Sequence, residues 1–137
     1  MYRIAIDRNR PDFRVFIDLL YGADRNVDTE GDSNPVSSRT WRYLHIADRE
    51  SDDPHVEIAA LTDESNIFEV RSESQKLEEL AALYLFMCCG AAISTFSSAL
   101  QPEHIGALKA KYTVELKRAE AAIWHRSSNE NPYPNVA

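Results

Sequence analysis

His45, His55 and Glu57 are the residues whose types could assemble a metal centre. Two imidazoles and a carboxylate are the minimum donor set of a catalytic zinc site. All three share one face if residues 40–48 and 55–62 pair as an antiparallel hairpin, because side chains alternate with period two. Polar residues on a solvated sheet face give the same pattern without a metal, so no cofactor is expected. Asp28-Thr29-Glu30-Gly31-Asp32-Ser33-Asn34 offers oxygen ligands at alternating positions, but its glycine is misplaced for a calcium loop and no closing Glu follows. Cys88 and Cys89 are adjacent in an apolar segment, where neighbours on a helix diverge, and read as buried reduced thiols. No G-x-S-x-G elbow, phosphate loop, G-x-G-x-x-G or H-E-x-x-H occurs, and His104 and His125 have no evident partner. No catalytic residue is assigned, and the chain is read as a non-enzyme.

Recognition chemistry is better represented. Alternation through residues 40–48, 55–62 and 68–72 puts Leu44, Ile46, Val56, Ile58, Phe68 and Val70 on one face. The opposite face then carries Trp41, Tyr43, His45, His55, Glu57, Glu69 and Arg71, if Arg49 stands opposite His55. Aromatics mixed with charge are favoured at binding surfaces. The competing arrangement folds the segment around Phe13, or the 22–38 loop, over Trp41 and Tyr43.

Charge is segregated as well. Residues 50–66 hold Glu50, Asp52, Asp53, Glu57, Asp63 and Glu64 with no Lys or Arg, and residues 22–38 hold four acids against Arg25. Such stretches can steer a basic partner surface, or can be ordinary solvated loops.

The elements that must position these residues follow from periodicity. Tyr2, Ile4 and Ile6 alternate with polar neighbours as a strand. Phe13, Phe16, Ile17 and Leu20 fit a helix between Pro11 and Gly22, although Phe13, Val15, Ile17, Leu19 and Tyr21 also alternate; the flanking residues favour helix. Residues 22–38 read as a long loop and residues 40–72 as an antiparallel meander. Ser74 caps a helix that is apolar on nearly every face from Leu80, and residues 80–100 carry no charge. The hydroxyl-rich second half of that stretch fits a buried core helix better than a membrane span. Pro102 begins a second helix with Ile105, Leu108, Tyr112, Leu116, Ala119 and Ile123 as its apolar stripe. The predicted fold is α+β: an antiparallel sheet of 3–5 strands packed on one face by two C-terminal helices. Residues 1–126 form one domain and residues 127–137 an irregular tail.

The 137 residues include 22 Asp+Glu against 15 Lys+Arg, for a net charge of −7. An acidic chain is poorly suited to neutralising phosphates, so direct nucleic-acid binding is not expected. A hydrophobic fraction of 44% excludes a disordered chain, and two cysteines exclude a disulfide framework. The first residues form too short an apolar run for a signal peptide and no glycosylation sequon occurs, so a cytoplasmic protein without membrane association is expected. The leading expectation is an acidic protein-binding inhibitor that occludes a basic enzyme surface, such as the groove of a nucleic-acid-acting enzyme, as a toxin-immunity or phage anti-defence protein would. Its partner-binding residues would be Trp41, Tyr43, His45, Asp52, Asp53, Glu57, Asp63, Glu64, Glu69 and Arg71. The alternatives are a self-associating assembly protein, such as a homodimer through the aromatic face or the Ile105–Ile123 helix, and a small metal- or ligand-dependent enzyme.

Overall fold

The computed structural model describes residues 1–22, 27–31 (as backbone), 36–48, 54–62, 64–95 and 97–134. In chain order these form β1 (Tyr2–Ile6), α1 (Arg14–Leu20), β2 (Val27–Gly31), β3 (Tyr43–Asp48), β4 (Val56–Ala60) and β5 (Ile67–Ser72). There follow α2 (Gln75–Cys89), β6 (Gly90–Thr95), α3 (Pro102–Lys111), α4 (Thr113–Glu120) and a 3-10 turn (Ile123–Arg126). The strands make one antiparallel sheet of 6 strands in the order β2-β3-β4-β5-β1-β6. Helices cover one face, giving the expected α+β architecture. Among the described residues, no helix is long and apolar enough to cross a membrane.

The strand faces divide as the alternation predicts. Leu44, Ile46, Val56, Ile58, Phe68 and Val70 are fully buried under the helices, joined by Ile4 and Ile93. The β3–β4 register pairs Ile46 with Val56, two residues away from the Arg49–His55 alignment. An even slip leaves every side chain on its predicted face.

Two strands lie where none was predicted. Val27–Gly31, inside the expected 22–38 loop, pairs along β3 as an edge strand, which is not a calcium-loop conformation. The expected helix through residues 80–100 stops at Cys89, and Gly90–Thr95 pairs with β1. Residues 75–89 contain no β-branched side chain, whereas Ile93 and Thr95 favour extended backbone. Gly90 makes the switch possible, because a Cβ there would lie 2.7 Å from Phe86 Cα.

Helix α2 is capped as expected: Ser74 Oγ accepts from Leu77 N at 3.2 Å. It packs on β1, β5 and β6, while α1 lies against α2 and α4. Because Val15, Phe16, Leu19, Leu20 and Asp18 are all buried, α1 lacks the polar stripe that would have separated helix from strand in its sequence. Gly22, at φ 106°, donates to Ile17 O and closes it. Arg118, expected on the solvent side, donates to Asp18 O and, at 2.7 Å, to Leu19 O, satisfying carbonyls at the end of α1.

The single predicted C-terminal helix breaks at Tyr112 into α3 and α4. Leu108, Tyr112, Leu116 and Ala119 are nonetheless buried as its stripe predicts, which leaves that face unavailable for dimerisation. Tyr112 is fixed by Glu79, a buried α2 carboxylate that accepts from its hydroxyl at 2.6 Å and from Lys111 Nζ at 3.1 Å. The Tyr2 hydroxyl donates to the same carboxylate at 3.3 Å.

The C-terminal segment is docked through Pro134 rather than trailing as a tail. Asp12, fully buried, accepts from Arg14 Nη2 at 2.6 Å and from Ser127 Oγ at 2.6 Å. Arg14 Nη2 also donates to Pro132 O at 2.7 Å, and the guanidinium lies 4.1 Å from the Trp124 ring centroid and 5.2 Å from that of Tyr133. Ser37 Oγ donates to Asn129 Oδ1 at 2.9 Å, and Arg39 Nη2 donates to Ser127 O at 2.9 Å.

Candidate protein-binding face

The sheet face away from the helices presents its side chains in transverse rows. Register places Arg3, Glu69, Ala59 and Tyr43 in one row across β1, β5, β4 and β3. Arg71, Glu57 and His45 occupy the corresponding positions in the next row. Tyr43 is 37% exposed and Leu61, just beyond β4, is 41% exposed.

Ion pairing on this face is uneven. Glu69 Oε1 accepts from Arg3 at 3.0 Å and Oε2 from Arg71 Nη2 at 2.5 Å. Burial alone would raise the Glu69 pKa, but the bonds from Arg71 and Arg3 outweigh it and hold the carboxyl below its usual range. Arg71 thus turns to Glu69 and leaves its cross-strand neighbour Glu57 with no hydrogen bond or ion pair among the described residues. Ala59 lies between the taller Glu57, Glu69 and Arg71 and floors a depression of about 340 Å³ that Leu61 helps to line.

His45 and His55 meet, as the metal hypothesis requires, but in the wrong geometry. Their rings are stacked, with centroids 4.4 Å apart and planes 26° from parallel. Imidazole lone pairs lie in the ring plane, so stacked rings direct them side by side rather than at one ion about 2 Å away. No group of three or more His, Cys, Asp or Glu among the described residues is placed to hold a metal. Cys88 and Cys89 are free thiols; burial raises both, Cys89 to about 11, which disfavours the thiolate needed for nucleophilic chemistry.

Five of the predicted partner-binding residues, Tyr43, His45, Glu57, Glu69 and Arg71, share this face. Trp41 does not: it is 1% exposed, so its assignment to the binding surface is corrected. β3 begins at Tyr43, and strand parity does not extend back to residue 41. There the indole turns inward, edge-on to Phe16 and Phe68 at 6.0 Å each, with Nε1 donating to Pro11 O at 2.8 Å. The segment after Phe13 thus covers Trp41 but not Tyr43. Asp52, Asp53 and Asp63 lie outside the described residues; Glu64 is exposed. Leu61 belongs to the face as well, as the alternation of residues 55–62 sets it with His55 and Glu57; Arg3 was not anticipated there, although the alternation of Tyr2–Ile6 already set it on the polar side.

The described residues form a two-layer α+β domain whose helices cover one face of the sheet. Compared with known protein families, characterised proteins and solved structures, the chain matches none.

Proposed function

We propose that the chain is a protein-binding inhibitor that occludes a basic enzyme surface with its open sheet face, as toxin-immunity and phage anti-defence proteins do. The observation that carries this reading is Glu57, a carboxylate with no ion-pair partner among the described residues, beside a depression floored by Ala59 and edged by Leu61. A Lys or Arg from a partner would place its aliphatic stem on Leu61 and its charge on Glu57. The net charge of −7 supplies the long-range field that draws a basic partner in.

The test is capture of the partner from the native host by the wild-type chain, by Glu57→Arg and by Lys117→Glu on the exposed side of α4. One stoichiometric partner with a basic surface, lost with Glu57→Arg and kept with Lys117→Glu, is the expected result. A partner retained by Glu57→Arg would remove the sheet face from the mechanism.

A further inference from the structure

At the end of the sheet where β1 runs into residues 7–12, a second depression carries an unusual charge arrangement. It has a volume of about 270 Å³ and is lined by Arg8, Asn9, Arg10, Arg42 and Asn66 among others, with Asp7 and Glu64 on its acidic side. Asp7 is taken up by Arg8, whose Nε lies 3.0 Å from its carboxylate. Arg10 is different. It is 9% exposed, and its Nε donates to Trp41 O at 3.0 Å. Its guanidinium carbon lies 5.9 Å from the Trp41 ring centroid and 5.4 Å from that of Phe68. Neither terminal nitrogen makes a hydrogen bond, and no carboxylate pairs with it, among the described residues.

A guanidinium keeps its charge at physiological pH, and the terminal nitrogens of Arg10, without a counter-charge among the described residues, reach the depression, where an anion can complete them. Burial lowers the Arg10 pKa, and the charge of nearby Arg42 lowers it further. Arg42 is itself held in place, with Nη2 donating to Thr62 O at 3.0 Å and to Ser65 O. Arg10, anchored on Trp41 O, is thus fixed before any ligand arrives, and its ordering cost is already met by the fold. Asn9, exposed and without a hydrogen bond among the described residues, and Asn66 add amide groups to the same wall.

We propose that this depression is a binding site for a phosphoryl group, with Arg10 as its anchor. The several oxygens of a phosphoryl group can accept from both terminal nitrogens of Arg10 and from an amide of the wall, whereas a carboxylate offers only two. The site is separate from the protein-binding face and does not depend on it.

Calorimetric titration of the full chain with inorganic phosphate, phenyl phosphate and acetate at fixed ionic strength tests the assignment. Saturable 1:1 phosphate binding is expected, with a shift of the Arg10 Nε–H resonance in a parallel NMR titration. Arg10→Lys keeps the charge but loses the fork, and is expected to weaken binding about tenfold. Asn9→Asp brings a carboxylate to the wall of the depression from an exposed position without a hydrogen bond among the described residues, and should weaken it about tenfold or more with the melting temperature unchanged. Tighter binding of phenyl phosphate than of inorganic phosphate would identify a small phosphomonoester as the ligand, and equal binding would identify the free ion; both uphold the site. No saturable binding in the millimolar range, acetate binding as tightly as phosphate, or phosphate binding untouched by Asn9→Asp would overturn it.

Discussion

Replacing Asp12 by Asn should unfold this protein more readily than any single change on its surface. Asp12 is 0% exposed, and its carboxylate accepts from Arg14 N, Nε and Nη2 at 3.0, 3.0 and 2.6 Å and from Ser127 Oγ at 2.6 Å. The amide keeps the shape but removes the charge and turns an NH₂ towards a set of donors. Arg14, only 6% exposed, is then a buried cation without its partner. Removing one member of a buried ion pair costs about 3–5 kcal/mol, a large part of the roughly 5–15 kcal/mol that holds a domain together. With a urea dependence of about 2 kcal/mol/M, that cost lowers the unfolding midpoint by about 1.5–2.5 M.

The assay is urea unfolding followed by tryptophan fluorescence, with three companion variants. Arg71→Ala breaks an ion pair whose Arg side chain is 62% exposed, and should cost no more than about 1 kcal/mol. Asp12→Asn combined with Arg14→Met removes both charges and should cost less than the sum of the two single changes, because no unpaired charge remains. Deleting the chain after Arg126 removes the Ser127 and Pro132 contacts of the pair and the Tyr133 ring, and should approach the cost of Asp12→Asn itself. A loss below about 1 kcal/mol for Asp12→Asn, or an unchanged midpoint after the deletion, would refute the claim that the buried pair fastens the C-terminal segment.

Three further outcomes follow from the geometry. Burial would raise the Glu79 pKa, but hydrogen bonds from Tyr112, Lys111 and Tyr2 outweigh it and leave it depressed; its stabilisation is therefore present above the unfolded carboxylate pKa of about 4.3 and lost as pH falls through the folded value. Glu79→Gln should flatten the acid limb of the stability–pH curve, and should also bring Tyr2, raised to about 12 first by burial and then by Glu79, down in an ultraviolet titration. Gly90→Ala should destabilise by about 1–3 kcal/mol because its methyl would press on Phe86, whereas Gly106→Ala, whose Cβ meets nothing within 4 Å, should stabilise α3 by about 0.5–1 kcal/mol in the same urea assay. Changing Asp52, Asp53, Asp63 and Glu64 to Asn or Gln should slow association with the captured partner and flatten its salt dependence, read by stopped-flow mixing; an unchanged rate would remove those acids from the steering field.

What the sequence discloses here is set by how far each periodicity runs. The sheet faces were legible because residues 43–48, 56–60 and 67–72 are true strands, and period two survived even a two-residue error in register. Trp41 was misplaced by extending that period two residues past the end of its strand. Period 3.6 identified the apolar stripe of α3 and α4, yet it is blind to the break at Tyr112, which is fixed by a carboxylate 33 residues away.

The most consequential residues lie where neither period applies. Asp7-Arg8-Asn9-Arg10-Pro11-Asp12 has the composition of a solvated turn, and charged residues are almost never fully buried unless paired. Three of its features are nonetheless interior: Arg10, Pro11 and Asp12 are buried, and they meet Trp41, Phe68 and Ser127 from distant parts of the chain. Asp12 has a partner two residues on, in Arg14, and so explains itself as structure. Among the described residues, Arg10 has the aromatic walls and the backbone anchor of a structural residue but no counter-charge, and on that difference the proposed phosphoryl site rests.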